Sequence, residues 1–372
     1  MKILQVNKLY FPWVGGMEKT VQDIAEGLSR KDNYNVEVLV CQPKGKGSEE
    51  ALNGIKVYRA ASLGMFLGMP ISIQFFTLFC RLARGVDVVH VHHPFPLAVF
   101  AYLMCKPKAK LVVHYHSDIY RQKISYAIFK PFLRKFLKRS DAIIVTNPYI
   151  IENSEILKDY RKKCYIVPSG IRIEDFRLDD LIKDKIIEIK KQIGSPIVLF
   201  VGRLVYYKGV EYLIRAFKNI NAQLVIVGSG PLENDLKQLV EDLEIEERVH
   251  FLNNIPDEDL KAFYHACDIF VLPSIEKTEC FGLVQLEAMA CGKAVISTNL
   301  PTGVPWINQH KKTGLVVPPK DAKALHQAIV FLLENERLRN EYGKNGQERV
   351  KEFTIDLMVQ KISNLYLSLC KL

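Results

Sequence analysis

Two carboxylates eight positions apart, Glu279 and Glu287, carry the strongest chemical signal in this 372-residue chain. They lie in Thr278-Glu279-Cys280-Phe281-Gly282-Leu283-Val284-Gln285-Leu286-Glu287-Ala288-Met289-Ala290. The apolar run from Asp268 to Pro273 reads as a buried strand, and Val284 to Cys291 as a helix stopped by Gly292. Glu279 therefore stands at a strand-to-helix junction. The N–H groups of Phe281, Gly282 and Leu283 have no helical acceptor there and can receive an anion or hydroxyl groups. At about 1.5 Å per residue Glu287 lies about 12 Å further along, too far to share a proton but suited to gripping the other end of one extended ligand. The plain alternative is a surface helix with two solvated glutamates.

Other residues point to an anionic, polar ligand. After the apolar run Val198–Val201 comes Gly202-Arg203-Leu204-Val205-Tyr206-Tyr207-Lys208-Gly209, which sets two cations at a strand end. Arg203 as a fork and Lys208 as a point charge suit a diphosphate; the alternative is a solvated loop. Gly15-Gly16 follows the first strand and precedes an expected helix Glu18–Leu28, where a bare backbone could approach a phosphate or sugar. Histidines cluster at His90, His92 and His93 and again at His114 and His116. His114 and His116 share one strand face, but no carboxylate or thiol stands at ligand spacing, so no metal site is expected. His116, at a strand exit, is placed to hydrogen-bond a ligand, while His90, His92 and His114 fit the core or its rim. Gly228-Ser229-Gly230 resembles half a dinucleotide fingerprint and fails at Glu233.

Elements that alternate strand and helix must position these groups, and the chain supplies them throughout. Expected strands in the first half are 2–7, 35–41, 55–59, 86–91, 110–115, 142–146 and 164–167. After a charged linker and helix (172–192) come 196–201, 223–227, 249–251, 268–272, 294–297 and 314–317. That order predicts an α/β protein of two Rossmann-like, doubly wound parallel-sheet domains, whose ligands bind at the carboxyl ends of strands. Eight cysteines without a CxxC pair read as buried free thiols of a reducing compartment. The start Met1–Asn7 reads as a strand without an apolar leader, which favours the cytoplasm.

The net charge of +10 is uneven: residues 1–170 carry 25 Lys and Arg against 13 Asp and Glu. Arg121 to Arg139 mixes aromatic residues with cations, reading as a basic amphipathic helix broken or kinked at Pro131. Lys130, Arg134, Lys135 and Lys138 would face an anionic membrane surface. The alternative is an ordinary helix packed on the sheet. No nucleic-acid motif accompanies the charge. Ala60 to Cys80 carries no charge and is long enough to raise a membrane span, although its Gly, Pro and polar residues favour a loop and a helix.

On these residues the chain resembles the retaining glycosyltransferases of family 4, which have the GT-B fold, over nearly its whole length. Glu279 and Glu287 match the family's E-x7-E pair, Arg203 and Lys208 its diphosphate-binding cations, Gly15-Gly16 its glycine loop and His116 its sugar-contacting histidine. Val167-Pro168-Ser169-Gly170-Ile171 looks like its interdomain crossing. Thr302-Gly303-Val304-Pro305-Trp306, with His116-Ser117-Asp118-Ile119 and Arg121-Gln122-Lys123, is similar to the mannosyl- or rhamnosyltransferase branch that builds bacterial O-antigen or capsule. Cys280 departs from the Gly or Ala of many members.

The resemblance implies an acceptor domain, 1–173 with a returning helix 354–372, and a nucleotide-sugar domain, 174–353, facing each other across the active site. It also implies a GDP- or UDP-sugar donor, no required cofactor or metal, and a lipid-linked glycan acceptor at the inner face of the cytoplasmic membrane. Arg203 and Lys208 would neutralise the leaving diphosphate, and Glu287 would take the ribose hydroxyls. Glu279 with the N–H groups of Phe281, Gly282 and Leu283 would hold the sugar, and His116 would bind a hydroxyl near the anomeric centre. A sugar-nucleotide 2-epimerase, and a catalytically silent binding protein of a membrane complex, are the competing readings.

Overall fold

The computed structural model of the protein describes residues 1–13, 15–118 and 123–371. Ile119, Tyr120, Arg121 and Gln122, which carry part of the resemblance and of the basic segment, lie outside the described residues. The chain falls into two compact units, Met1–Ser169 with Ile355–Leu372, and Gly170–Thr354.

Strands of the first unit are β1 (Lys2–Val6), β2 (Asn35–Cys41), β3 (Ser48–Leu52), β4 (Ile55–Ala60), β5 (Met65–Phe66), β6 (Met69–Pro70), β7 (Val88–His93), β8 (Lys110–Tyr115), β9 (Ala142–Val145) and β10 (Cys164–Ile166). The main sheet runs β10-β9-β8-β7-β1-β2-β4-β3, parallel except for β3 against β4, while β5 and β6 form a separate ribbon. The helices are α1 (Gly16–Ser29), α2 (Gln74–Leu82), α3 (Pro96–Cys105), α4 (Lys123–Arg139) and α5 (Pro148–Asn153). Because strand side chains alternate, Leu4, Val6, Leu39 and Val91 meet Phe75, Phe79, Val99 and Phe136 of α2, α3 and α4 on one face. Ile3, Val38 and Val112 meet Val21, Ile24 and Leu28 of α1 on the other.

The second unit repeats the plan. Its strands β11 (Ile197–Val201), β12 (Gln223–Val227), β13 (Val249–Leu252), β14 (Ile269–Leu272), β15 (Ala294–Thr298) and β16 (Gly314–Val317) lie in the order β13-β12-β11-β14-β15-β16, all parallel. Its helices are α6 (Asp180–Ile193), α7 (Val210–Phe217), α8 (Glu233–Asp242), α9 (Asp257–Ala266), α10 (Leu283–Ala290), α11 (Val304–Ile307), α12 (Ala322–Glu334) and α13 (Glu336–Val350). Leu213, Leu236 and Ile329 cover one face of the sheet, and Ile189, Ala262, Leu286 and Val350 the other. Burial of both faces explains strands that read as nearly continuous apolar runs.

The last helix, α14 (Ile355–Cys370), returns to the first unit. Its Val359, Ile362 and Tyr366 join the core beside α1, and Tyr34 Oη lies 2.6 Å from Ser363 Oγ. Close approach depends on Gly27, where a Cβ would stand 2.5 Å from Val359 Cγ2.

Several expectations are corrected. β3 is an exposed, polar edge strand without apolar alternation, so its sequence does not announce it. β7 runs two residues past the expected end, which puts His92 and His93 inside the sheet. α1 starts at Gly16, and α4 passes through Pro131 as one helix rather than breaking there. Three of the eight cysteines, Cys41, Cys267 and Cys291, are buried and the other five only partly so, fewer than expected. The uncharged run resolves into the β5–β6 ribbon and α2, and no helix among the described residues is long and apolar enough to cross a membrane.

Gly27→Leu should force α14 off α1 and destabilise the protein by about 1–3 kcal/mol, the usual cost of overpacking and more than the gain of about 1 kcal/mol in helix propensity. The urea midpoint measures it; an unchanged midpoint would show that this contact does not hold α14.

Candidate functional site

Parallel sheets offer a ligand crevice where strand order reverses, beyond the carboxyl ends of the strands. In the second unit the reversal falls between β11 and β14, and in the first between β1 and β7. Sequence-predicted residues lie at both points.

The loop after β11 carries Arg203 and Lys208, and the loop after β14 carries Glu279. Lys208 Nζ lies 2.6 Å from Glu279 Oε2, and Ser274 Oγ donates to the same oxygen at 3.0 Å. Both charged residues are buried, at 9% and 7% exposure. Ser274 is fixed in turn by Thr298 of β15, whose hydroxyl donates to its carbonyl. The crossing needs Gly209, which has φ +65° and whose Cβ would stand 2.2 Å from Pro273 O. Arg203 is exposed, and no acidic side chain pairs with it among the described residues. Gly228 and Gly230 serve packing: a Cβ on either would lie 2.1 Å from Gly202 O or 2.4 Å from Leu204 O, so they seat the β12 exit against the loop that carries Arg203.

Gly282, at φ +75°, caps α10, and a Cβ there would stand 2.7 Å from Leu272 Cδ2. Among the described residues no acceptor takes the N–H groups of Phe281, Gly282 or Leu283. The Thr302–Trp306 motif braces this turn. Gly303 N donates to Cys280 O at 2.8 Å, and the Phe281 ring lies 6.3 Å from that of Trp306 and 6.1 Å from that of Phe353. Glu287, in the second turn of α10, accepts from Tyr264 Oη at 2.6 Å. Burial, and then the charge of Glu287, hold the Tyr264 phenol well above its ordinary pKa, so it remains a donor. Sequence reasoning missed Ser274 and Tyr264. Ser274 follows the strand-ending Pro273, a weak signal; Tyr264 sits on another helix, and its pairing had none.

In the first unit Gly15 is the extended residue before α1, and the Glu18 carboxylate folds back until Oε2 would stand 2.4 Å from a Cβ on Gly15. The amino end of α1 is therefore already faced by an acid. Gly16 has open space.

Strand register gathers the histidines. β7 and β8 pair His92 with His114, and His90, His92, His114 and His116 stack along the face shared with α14. His92 Nδ1 lies 3.0 Å from His116 Nε2, His92 Nε2 lies 2.8 Å from Gln5 Oε1, and His90 Nδ1 lies 2.6 Å from Tyr366 Oη. Because Gln5 Oε1 accepts, His92 donates to it through Nε2 and accepts from His116 at Nδ1, which leaves His116 Nδ1 as an acceptor. His90, His92 and His114 bring nitrogens within 4.8 Å of one another, so the expectation that no group gathers for a metal was too narrow. Their rings lie within 3° to 24° of parallel, and the lone pairs run side by side rather than converging on a tetrahedral ion.

On α4, Phe129, Leu133, Phe136 and Leu137 are buried, while Arg134, Lys135 and Lys138 are exposed and Lys130 is half-buried. Lys130 and Arg134 lie 4.0 and 3.8 Å from Glu155 and Asp159, long ion pairs that leave the helix cationic.

Burial pushes the pKa of His90, His93 and His116 down to about 3, and those of His92 and His114 well below the ordinary value. Unfolded, each titrates near about 6.5, so below that pH the unfolded chain binds more protons and stability falls, by up to about 1.4 kcal/mol per pH unit per histidine. Above it the histidines contribute no pH dependence. Urea denaturation should show His114→Gln taking up fewer protons on unfolding than wild type, the difference rising from about a quarter of a proton at pH 7 to about 0.9 at pH 5.5. Equal slopes would mean that His114 is protonated in the fold.

Two family models divide the chain between them: Glycosyltransferase Family 4 over residues 14–175 and Glycosyl transferases group 1 over residues 182–349. The O-antigen chain mannosyltransferase C of Escherichia coli is 32% identical, with 99% of each chain covered. The D-rhamnosyltransferase WbpZ of Pseudomonas aeruginosa is also 32% identical, over 95% of this chain and 92% of that one. Among solved structures, sucrose-phosphate synthase of Thermosynechococcus elongatus matches with a TM-score of 0.81 at 24% identity, covering 99% of this chain and 98% of that one. HepE of Anabaena, crystallised with UDP, matches with 0.81 at 19%, covering 99% and 100%. Whole-length identity to the two transferases, two doubly wound units and this likeness of fold together place the chain in glycosyltransferase family 4, with the GT-B fold.

Proposed function

We propose that this glycosyltransferase moves a hexose of the mannose type, with retention of configuration, from a GDP- or UDP-sugar to a lipid-linked glycan in bacterial surface polysaccharide synthesis. The observation that carries the reading is the buried Lys208–Glu279 pair at the β11/β14 reversal, with Arg203 exposed beside it and Glu287 on α10. Arg203 and Lys208 take the diphosphate, and transition-state stabilisation is mainly by their charge. Lys208 is held by Glu279 until a phosphate offers it a second anion. Glu287, oriented by Tyr264, accepts the ribose hydroxyls. Glu279 and the N–H groups of Phe281, Gly282 and Leu283 hold the sugar, and His116 binds a sugar hydroxyl through its accepting nitrogen. The names of the two relatives support a mannose- or rhamnose-type sugar and a polysaccharide acceptor, and the UDP bound by HepE supports a nucleotide donor.

The unit 1–169 with 355–372 is assigned the acceptor and the unit 170–354 the donor. Gly15 and Gly16, after β1, are assigned to donor binding. The enzyme works in the cytoplasm as a peripheral protein of the inner membrane face, with α4 and its Lys130, Arg134, Lys135 and Lys138 toward anionic lipid.

Arg203→Ala should lower transfer by about 100- to 1,000-fold without loss of stability, since the side chain is exposed. Lys208→Ala should lower it similarly but also destabilise the fold by about 3–5 kcal/mol, because it leaves Glu279 buried and unpaired. Lys208→Ala/Glu279→Gln should regain stability and not activity. Glu287→Ala should weaken donor affinity, while Glu279→Gln and His116→Ala lower turnover. Near-normal transfer and donor affinity in both cation variants would overturn the diphosphate assignment.

Transfer should also persist in excess EDTA, because two cations already meet the diphosphate. Loss restored by Mg²⁺ or Mn²⁺ would refute the metal-free reading.

A further inference from the structure

We propose that the β5–β6 hairpin is a wedge that inserts into the headgroup and upper acyl region of an anionic bilayer, an inference that rests on the peripheral-membrane reading above. From Ala60 to Cys80 the chain carries no charged residue. The fold uses only part of that run for its core, burying Ala60, Phe75 and Phe79. Pro70 is also buried and Met69, Phe76 and Leu78 pack against the core, but other apolar residues of the run face outward: Leu63 is 76% exposed, Phe66 64%, Leu67 56% and Ile73 80%, with Met65 and Ile71 also exposed. Monomeric soluble surfaces rarely leave such a patch uncovered.

Its backbone suits an apolar medium. β5 and β6 pair Met65 with Pro70 and Phe66 with Met69, and Leu67 and Gly68 close the turn at φ +49° and +76°. Below them Leu63 N donates to Ile71 O and Ile71 N to Gly64 O, both at 2.9 Å. Internally paired peptide groups lower the cost of leaving water. The base is anchored, since Gly45 and Ser62 exchange two backbone bonds at 2.8 and 2.9 Å and Ala61 N donates to Gln74 Oε1 at 2.6 Å. β6 rests on the unit, with Pro70 buried and Met69 packed against the core, so β5 and the turn hold Met65, Phe66 and Leu67 outward on a fixed base.

Charge complementarity names that medium. The hairpin leads into α2, which packs on α3, and α3 packs on α4 through Phe100 with Phe129 and Phe132. This helix layer adds exposed Met104, Ile128 and Phe132 to the cations of α4. Cations draw the unit to an anionic leaflet, and the hairpin supplies the buried apolar contact that charge alone lacks.

Phe66→Trp is the reporter, read against wild type to remove the native tryptophans. With phosphatidylglycerol vesicles its emission should shift to the blue and be quenched by brominated acyl chains. Phe66→Ser/Leu67→Ser should weaken vesicle binding by at least roughly tenfold per side chain, with nucleoside-diphosphate binding by thermal shift unchanged. If wild type binds the vesicles but the reporter stays unshifted and the double variant binds equally well, the wedge is overturned and the peripheral reading stands on α4 alone. If wild type ignores anionic vesicles, both fall. A lipid-free dimer in sedimentation velocity, abolished by the double variant, would make the hairpin a subunit contact and also overturn the wedge.

Discussion

The buried ion pair between Lys208 and Glu279 is the contact on which the arrangement of the second unit's site depends. It joins the exits of the two strands where the winding of the sheet reverses, and three local devices make it possible. Gly209 lets one loop pass the Pro273 carbonyl, Ser274 supplies the hydrogen bond that helps offset desolvation, and Gly282 turns the chain into α10. An apolar pair of similar volume would hold two loops at least as well, since desolvation largely cancels the attraction of a buried pair. Its presence at a crevice, rather than in the body of the core, ties it to chemistry more than to stability.

Winding explains why chemically distinctive residues fall where they do. Each sheet grows outward in both directions from a central strand, β1 in one unit and β11 in the other, so the loops after the central strands and their reversal partners open away from one another. Glycines after β1 and cations after β11 are equivalent positions in two copies of one topology. The Thr302–Trp306 motif acts at one remove, bracing the turn that carries Glu279 through Gly303 and the Phe281–Trp306–Phe353 aromatic group.

Strands and the E-x7-E junction were legible because they rest on local patterns: apolar runs mark strands buried on both faces, and glycine marks the helix ends. What escaped depends on register or on pairing between distant segments. His92 meets His114 only because β7 and β8 align them, and the strand boundary expected from the apolar run stopped short of His92. Tyr264 reaches Glu287 from another helix. β3 owes its existence to β4 rather than to its own polar sequence. The run from Ala60 to Cys80 was ambiguous for another reason: a core helix, a membrane span and an exposed apolar hairpin all demand the same uncharged composition.

The return of α14 to the first unit imposes an order on biosynthesis. Residues 170–354 form one uninterrupted unit, whereas the first unit holds residues from both sides of it. A ribosome therefore delivers all of the second unit before the first can close. During that interval Gly27 lacks Val359, Tyr34 lacks Ser363, His90 lacks Tyr366, and the side of α1 that α14 covers stays open to solvent. The nascent chain thus carries an incomplete amino-terminal unit through most of its translation, and a chain cut short before residue 355 would combine a finished carboxyl-terminal unit with a partner that chaperones and proteases can recognise as unfinished.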